Sequence, residues 1–207
     1  DKTVEASKNT EVKAGSIAID EAHFPDKVFR EQIIAEFDKD GDSVLSVDEI
    51  SKAQFLNLHD MKTISSLEGI QYLTNLQSLD VSTTSVSDLS PVKNSSLKRL
   101  DCRSSKVRSV DLTRYPNLEA FVCDNTSINS LDVSKNEKLN TLFADSTSIS
   151  NLDVTNNPNL EQLSCSNTGL MELDVTHNPQ LVTLDIGDTK VKTLDISKNP
   201  NLKQLSC

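Results

Sequence analysis

Seven leucines, Leu76, Leu97, Leu118, Leu139, Leu160, Leu181 and Leu202, fall 21 residues apart without a slip. Each opens a variant of one phrase, such as LEAFVCDNTSINSLDV, LNTLFADSTSISNLDV, LEQLSCSNTGLMELDV and LVTLDIGDTKVKTLDI. A fixed period of this length specifies a solenoid, in which each coil buries against its neighbours a face it cannot bury alone. Aromatic residues make up only 4% of the chain, which suits a stack of leucine layers better than a compact core. With five glycines in 207 residues, the turns fall to Asn, Asp, Ser and Thr.

Counted from the opening leucine, positions one, four, six, eleven and fourteen are apolar; in one coil these are Leu139, Leu142, Ala144, Ile149 and Leu152. The alternation over positions four to six has the period of a strand. Stacked in register, such segments build one parallel sheet. Position nine carries Thr84, Ser105, Thr126, Thr147, Thr168 and Thr189, hydroxyls able to link coil to coil and to satisfy turn backbone. Asn157-Pro158, Asn178-Pro179 and Asn199-Pro200 read as turn dipeptides, so the convex side is predicted to be extended rather than helical. Along that side Asp111, Asp132, Asp153, Asp174 and Asp195 fit carboxylates capping local backbone N–H groups better than a calcium ladder.

The pattern L-x-x-L-x-[CVIA]-x-x-[TS]-x-[LIV] resembles the leucine-rich repeat consensus, with Thr or Ser replacing the usual Asn at position nine. ISSLEGIQYLTNLQSLDVS, residues 64–82, resembles the junction of bacterial internalin-type proteins. L-D-V-S-x-N-P-x-L is similar to secreted leucine-rich repeat proteins of gut bacteria. The resemblance covers residues 64–207. It implies a strand-dominated α/β fold, a right-handed leucine-rich repeat solenoid of 21-residue repeats with a small helical N-terminal cap. The expected division is a flexible tether over 1–20, an EF-hand-like cap over 21–60 and the solenoid over 61–207.

Within the cap, FPDKVFREQIIAEF at 24–37 has helical apolar spacing. The following DKDGDSVLSVDE resembles an EF-hand loop, whose spacing places oxygen ligands on one calcium ion. Asp38, Asp40, Asp42 and Glu49 offer carboxylates, Val44 its carbonyl, and Ser46 a hydroxyl acting directly or through water. Ser43 stands where glycine is expected, at a cost of about 1 kcal/mol for a left-handed conformation, so weak binding of Ca2+ in the millimolar range is the expectation. Beyond the loop, Phe55, Leu56 and Leu58 are expected to cover the open end of the first coil.

Cys102, Cys123, Cys165 and Cys207 share position six with Val81, Ala144 and Ile186, which marks them as buried free thiols rather than disulfide partners. Positions three, five, seven and eight point away from the core. There Val122 and Phe143 form an expected apolar step, with Arg99 and Arg103 to one side and Asp124 and Asp145 beside it, the candidate partner contacts. A net charge of −10 argues against nucleic acid or an anionic membrane as partner, and no apolar run suits membrane insertion. His23, His59 and His177 share no coil face with a plausible nucleophile. The expected function is therefore non-enzymatic recognition of a protein partner by a secreted or cell-surface module; the alternatives are a stalk for a further region and a glycan-binding surface.

Overall fold

The computed structural model describes residues 13–207, so residues 1–12 of the expected tether lie outside the described residues. β1 (Ile17–Ala18) pairs antiparallel with β2 (Val44–Leu45), so the C-terminal end of the expected tether is fastened to the cap. Between them runs α1 (Lys27–Phe37), and α2 (Val47–Lys52) follows. Eight three-residue strands then form one parallel sheet in chain order: β3 (Phe55–Asn57), β4 (Ser78–Asp80), β5 (Arg99–Asp101), β6 (Ala120–Val122), β7 (Thr141–Phe143), β8 (Gln162–Ser164), β9 (Thr183–Asp185) and β10 (Gln204–Ser206).

Register follows the repeat. Leu79, Leu100, Phe121, Leu142, Leu163 and Leu184 are paired in turn from coil to coil and all are buried. Each such burial contributes about 2 kcal/mol. β3 opens the sheet one coil before the first of the seven leucines, with Leu56 opposite Leu79. Leu56 and Leu58 are buried in the core, but Phe55, expected to help cover the open end, is 68% exposed. It lies in a strand of the sheet, and strand alternation turns it to the opposite side from Leu56.

The position-nine hydroxyls act within one coil, not between coils. Thr126 donates to the Cys123 carbonyl at 2.7 Å and Thr168 to the Cys165 carbonyl at 2.7 Å; the other position-nine residues repeat the bond. Linking coils falls instead to position nineteen. Asn136, Asn157, Asn178 and Asn199 are buried, and each side-chain amide donates to two carbonyls of the preceding coil. Asn157 Nδ2, for example, lies 3.0 Å from the Val133 oxygen and 2.9 Å from the Asn136 oxygen. Asn94 donates similarly to the Leu73 carbonyl. Tyr115 takes the place of Asn in one coil, its buried phenol donating to the Val92 carbonyl at 2.9 Å, and burial pushes that phenol up to about 12. The Oδ1 atoms of all five asparagines are buried without a hydrogen-bond partner, which marks donation by the amide nitrogen as the reason for the residue.

Position eight is left-handed throughout the sheet. Asp60, Thr83, Ser104, Asn125, Ser146, Asn167 and Asp188 have φ between 52° and 62°. This reversal ends each strand and sends the chain into the turn. On the convex side the capping reading of the aspartates is observed: Asp153 and Asp174 accept from the N–H groups of Thr155 and Thr176 at 2.9 and 2.8 Å, and Asp111, Asp132 and Asp195 repeat the turn. Cys102, Cys123 and Cys165 are buried free thiols as expected, whereas Cys207, also a free thiol, is exposed rather than buried.

The cap is joined to the stack at two places. Asp26 caps α1 by accepting from Val28 N and Phe29 N through Oδ1, while its Oδ2 accepts from Ser65 N at 2.9 Å and Ser66 N at 3.2 Å. One carboxylate thus serves both cap and coil. Phe24 is fully buried and packs on Phe29 and Tyr72, directly against the backbone of Gly69.

Candidate binding surface

The outward face of the sheet is built from three rows. Position three runs Phe55, Ser78, Arg99, Ala120, Thr141, Gln162, Thr183 and Gln204; position five runs Asn57, Asp80, Asp101, Val122, Phe143, Ser164, Asp185 and Ser206. Position seven, just past the strands, adds His59, Ser82, Arg103, Asp124, Asp145, Ser166 and Gly187.

Carboxylates fasten this face to its own backbone in two ways. Where position five is Asp, it accepts from the N–H two residues on: Asp80 from Ser82 at 2.8 Å, Asp101 from Arg103 at 3.2 Å and Asp185 from Gly187 at 2.9 Å. Where position five is Phe143 or Ser164, a position-seven carboxylate one coil earlier takes over. Asp124 Oδ1 accepts from Asp145 N at 2.8 Å, and Asp145 Oδ1 from Ser166 N at 2.7 Å. The same N–H is satisfied from within the coil or from its neighbour.

This arrangement revises the expected contact residues. Asp101 is fully buried and holds both arginines: Arg103 Nε lies 3.0 Å from Oδ1, and Arg99 Nη2 lies 3.3 Å from Oδ2. Arg99 and Arg103 remain 46% exposed and share the single carboxylate of Asp101. Val122, expected as half of an exposed apolar step, is buried at 1%. It sits in register between Asp101 with its arginines and the Phe143 ring, and these longer side chains cover the smaller one. Phe143 alone is part-exposed, beside part-exposed Asp124 and Asp145.

Among the described residues Asp80, Asp124, Asp145 and Asp185 make no ion pair; the arginines that could serve them are held by Asp101. Burial, reinforced by the neighbouring Asp145 charge, holds the Asp124 carboxyl above the usual carboxylate range even though Asp145 N donates to it. The folded chain therefore keeps this proton to a higher pH than the unfolded one, and stability is lost as pH rises through that window. Asp124→Asn retains the acceptor for Asp145 N. It is expected to melt about 1–2 °C above the parent at neutral pH, with the difference gone near pH 3, where the carboxyl is protonated in both states. Thermal melts at the two pH values check this; a difference independent of pH contradicts it.

The structure brings His59 and Ser82 together, which sequence reasoning does not anticipate. His59 Nδ1 lies 2.8 Å from Ser82 Oγ, and that hydroxyl donates to Asp80 Oδ1. A carboxylate only accepts, so the hydroxyl proton is committed to Asp80 and the imidazole can only donate through Nδ1–H. That is the reverse of a base activating a nucleophile, and the group serves to fix the first coils of the face.

In the acidic loop Asp38, Asp40 and Asp42 each bring one carboxylate oxygen within 4.8 Å of the others. Ser43 has φ 62°, the left-handed conformation its place in the loop demands. Asp38 accepts from Gly41 N and Ser43 N, and Asp42 from Val44 N. Two of the remaining expected ligands, Glu49 and Ser46, are engaged with their own surroundings. Glu49 accepts from Lys39 N at 2.7 Å and, in a capping box at the start of α2, from Ser46 N at 2.8 Å. Burial pushes the Glu49 carboxyl up, but these donors outweigh it and hold the group below its usual range. Val44 is buried in β2, and the Ser46 hydroxyl donates to Glu49. The donor set is all oxygen and suits a hard cation; three of the four expected carboxylates converge.

Compared with known proteins, the chain matches no family model and no curated protein. Among solved structures it superposes on internalin C2 of Listeria monocytogenes with a TM-score of 0.83, over 94% of this chain and 88% of that one, at 22% identity. The fold is a leucine-rich repeat solenoid. The internalin InlF of the same organism gives 0.81 over 91% of this chain, at 22% identity, and a leucine-rich repeat protein of Leptospira interrogans gives 0.68 over 77%, at 18% identity. The chain spans 57% of the former and 44% of the latter. These likenesses establish the leucine-rich repeat solenoid fold.

Proposed function

We propose that this chain is a non-enzymatic recognition module, secreted or displayed on the cell surface, that binds a protein partner through the outward face of its parallel sheet. One observation carries the reading. On the convex side the aspartates repeat a single turn from coil to coil, while position five of the sheet face changes from Asp101 to Val122 to Phe143 to Ser164 in successive coils. Residues that obey the repeat maintain the scaffold, and those that depart from it are free to carry specificity.

The test immobilises the chain and captures proteins from a cell-surface extract, comparing the parent with Phe143→Ala and with Met171→Ala, an exposed residue outside the three sheet-face rows. Loss of a part-buried aromatic contact is expected to weaken capture about tenfold or more, and Met171→Ala to leave it unchanged. Equal capture by both variants would remove the proposal.

Calcium belongs to the same reading as a stiffener of the cap. Asp38, Asp40 and Asp42 would hold the ion, and Glu49 would join only by giving up Lys39 N and Ser46. Ser43→Gly relieves the left-handed serine and is expected to stabilise the protein by about 1 kcal/mol and to tighten calcium binding. Calorimetric titration of parent and variant measures both effects; absence of binding heat at millimolar calcium, with melting indifferent to chelator, rules calcium out.

A further inference from the structure

We infer that the centre of the sheet face is a seat for a basic segment of a partner protein, one carrying an Arg or Lys beside an apolar residue. The inference rests on the sheet-face reading above and adds the chemistry of the occupant. Asp124 and Asp145 stand in adjacent coils, about 5 Å apart by strand spacing. Each is pinned through Oδ1, Asp124 by Asp145 N and Asp145 by Ser166 N and the Ser164 hydroxyl at 2.6 Å. Their Oδ2 atoms accept no hydrogen bond from the described residues. The result is a pair of carboxylates held in position with acceptor capacity to spare, so a cation meeting them loses little side-chain entropy on their account.

Three further features select a cation over other occupants. Arg99 and Arg103, the only cationic side chains in the three rows apart from His59, are tied to buried Asp101. They leave Asp80, Asp124, Asp145 and Asp185 without an ion pair among the described residues, four carboxylates against the one positive charge that the two arginines hold beyond Asp101. The proximity of Asp145 and partial burial already penalise ionised Asp124, a cost that an incoming cation relieves. Phe143, part-exposed between the two carboxylates in chain order, offers an apolar and π surface for the stem of an arginine or lysine and for the residue beside it. A second copy of this chain does not fit, since its net charge of −10 repels the face.

The experiment is an amide-resolved NMR titration of the full chain with the peptide acetyl-Leu-Arg-Leu-amide and with its neutral Gln counterpart. The expected result is a set of shifts centred on Asp124, Phe143 and Asp145 for the Arg peptide and none for the Gln peptide. Affinity should fall roughly tenfold in an Asp124→Asn/Asp145→Asn chain, the scale of a lost charged hydrogen bond. Asp153→Asn on the convex side should change nothing. Both sheet-face substitutions keep the Oδ1 acceptors, so the fold is retained. Absence of shifts, shifts spread over Asp38–Asp42 and the convex aspartates, or equal response to the Gln peptide would overturn the inference. Surface-extract capture separates it from the reading beneath it. Capture lost in Phe143→Ala but unaffected by the double substitution keeps the sheet face and overturns the basic occupant; capture indifferent to both overturns the two together.

Discussion

Asn157→Asp is expected to break the solenoid in its middle. The substitution is close to isosteric, yet it loses one or both of the amide bonds to the Val133 and Asn136 carbonyls, which are left with only their backbone donors, Asn136 N and Leu139 N. Each lost hydrogen bond costs about 1 kcal/mol, and the new carboxyl lies at a position with no exposure, where holding it protonated at neutral pH or burying its charge adds a larger penalty of several kcal/mol. The sum is about 4 kcal/mol or more, a large part of the 5–15 kcal/mol typical of a whole domain. Asn157→Ala loses the same donors but also deletes an Oδ1 that has no partner, so its loss is smaller, about 2–3 kcal/mol. Because each coil contacts only its neighbours, the damage should divide unfolding into two transitions, one on each side of the altered coil. Urea denaturation of the two variants measures this. Equal stability of Asp and Ala at this position would mean that burial and the donor bonds do not decide the residue.

Gly69→Ala is expected to separate cap from stack. Gly69 has φ 107°, a conformation that costs an L-residue roughly 1–2 kcal/mol. A methyl group there would meet Phe24 Cδ1 at 2.3 Å and the His23 carbonyl oxygen at 2.6 Å. The ring might be thought to yield, but the carbonyl belongs to the backbone. Overpacking of this kind adds about 1–3 kcal/mol, for a total near 3 kcal/mol. The loss should be local: amide exchange is expected to quicken over α1 and around Phe24 while β6 to β9 keep their protection. Uniform loss of protection along the whole chain would show that cap and stack unfold as one unit.

The stack was readable because burial at positions one, four, six, eleven and fourteen leaves the same mark in every coil. Leu142, Leu163 and their neighbours are apolar wherever the chain is inside. Polar roles were harder to read, since one letter serves several. Asn157, followed by proline, has the look of a turn residue, and its buried double donation is invisible in that dipeptide. The clue lay in Asn94 and Asn136, which hold the position without a following proline, and in Tyr115, which replaces Asn with another donor. Asn125, Asn167 and Asp188 at position eight likewise signalled a left-handed turn that the mixed composition of that row concealed.

On the sheet face the row to which each residue belongs follows from the repeat, but its availability does not. Exposure there depends on the coils on either side: Val122 is covered by its neighbours, and Arg103 is engaged by a carboxylate two residues away. In the acidic loop the spacing of Asp38, Asp40 and Asp42 predicted their convergence. The capture of Glu49 by the helix start beside it did not follow from ligand spacing, although Ser46 and Glu49 stand three residues apart, as a capping box requires.

The most direct test of the account is a hydrogen-exchange footprint of the chain with its captured partner bound. Protection gained across β5 to β8 and the position-seven residues that follow them, with the convex turns at Asp153 and Asp174 unchanged, is the predicted result. Protection confined to the convex turns or to the loop from Asp38 to Glu49, with the sheet face unaltered, would contradict it.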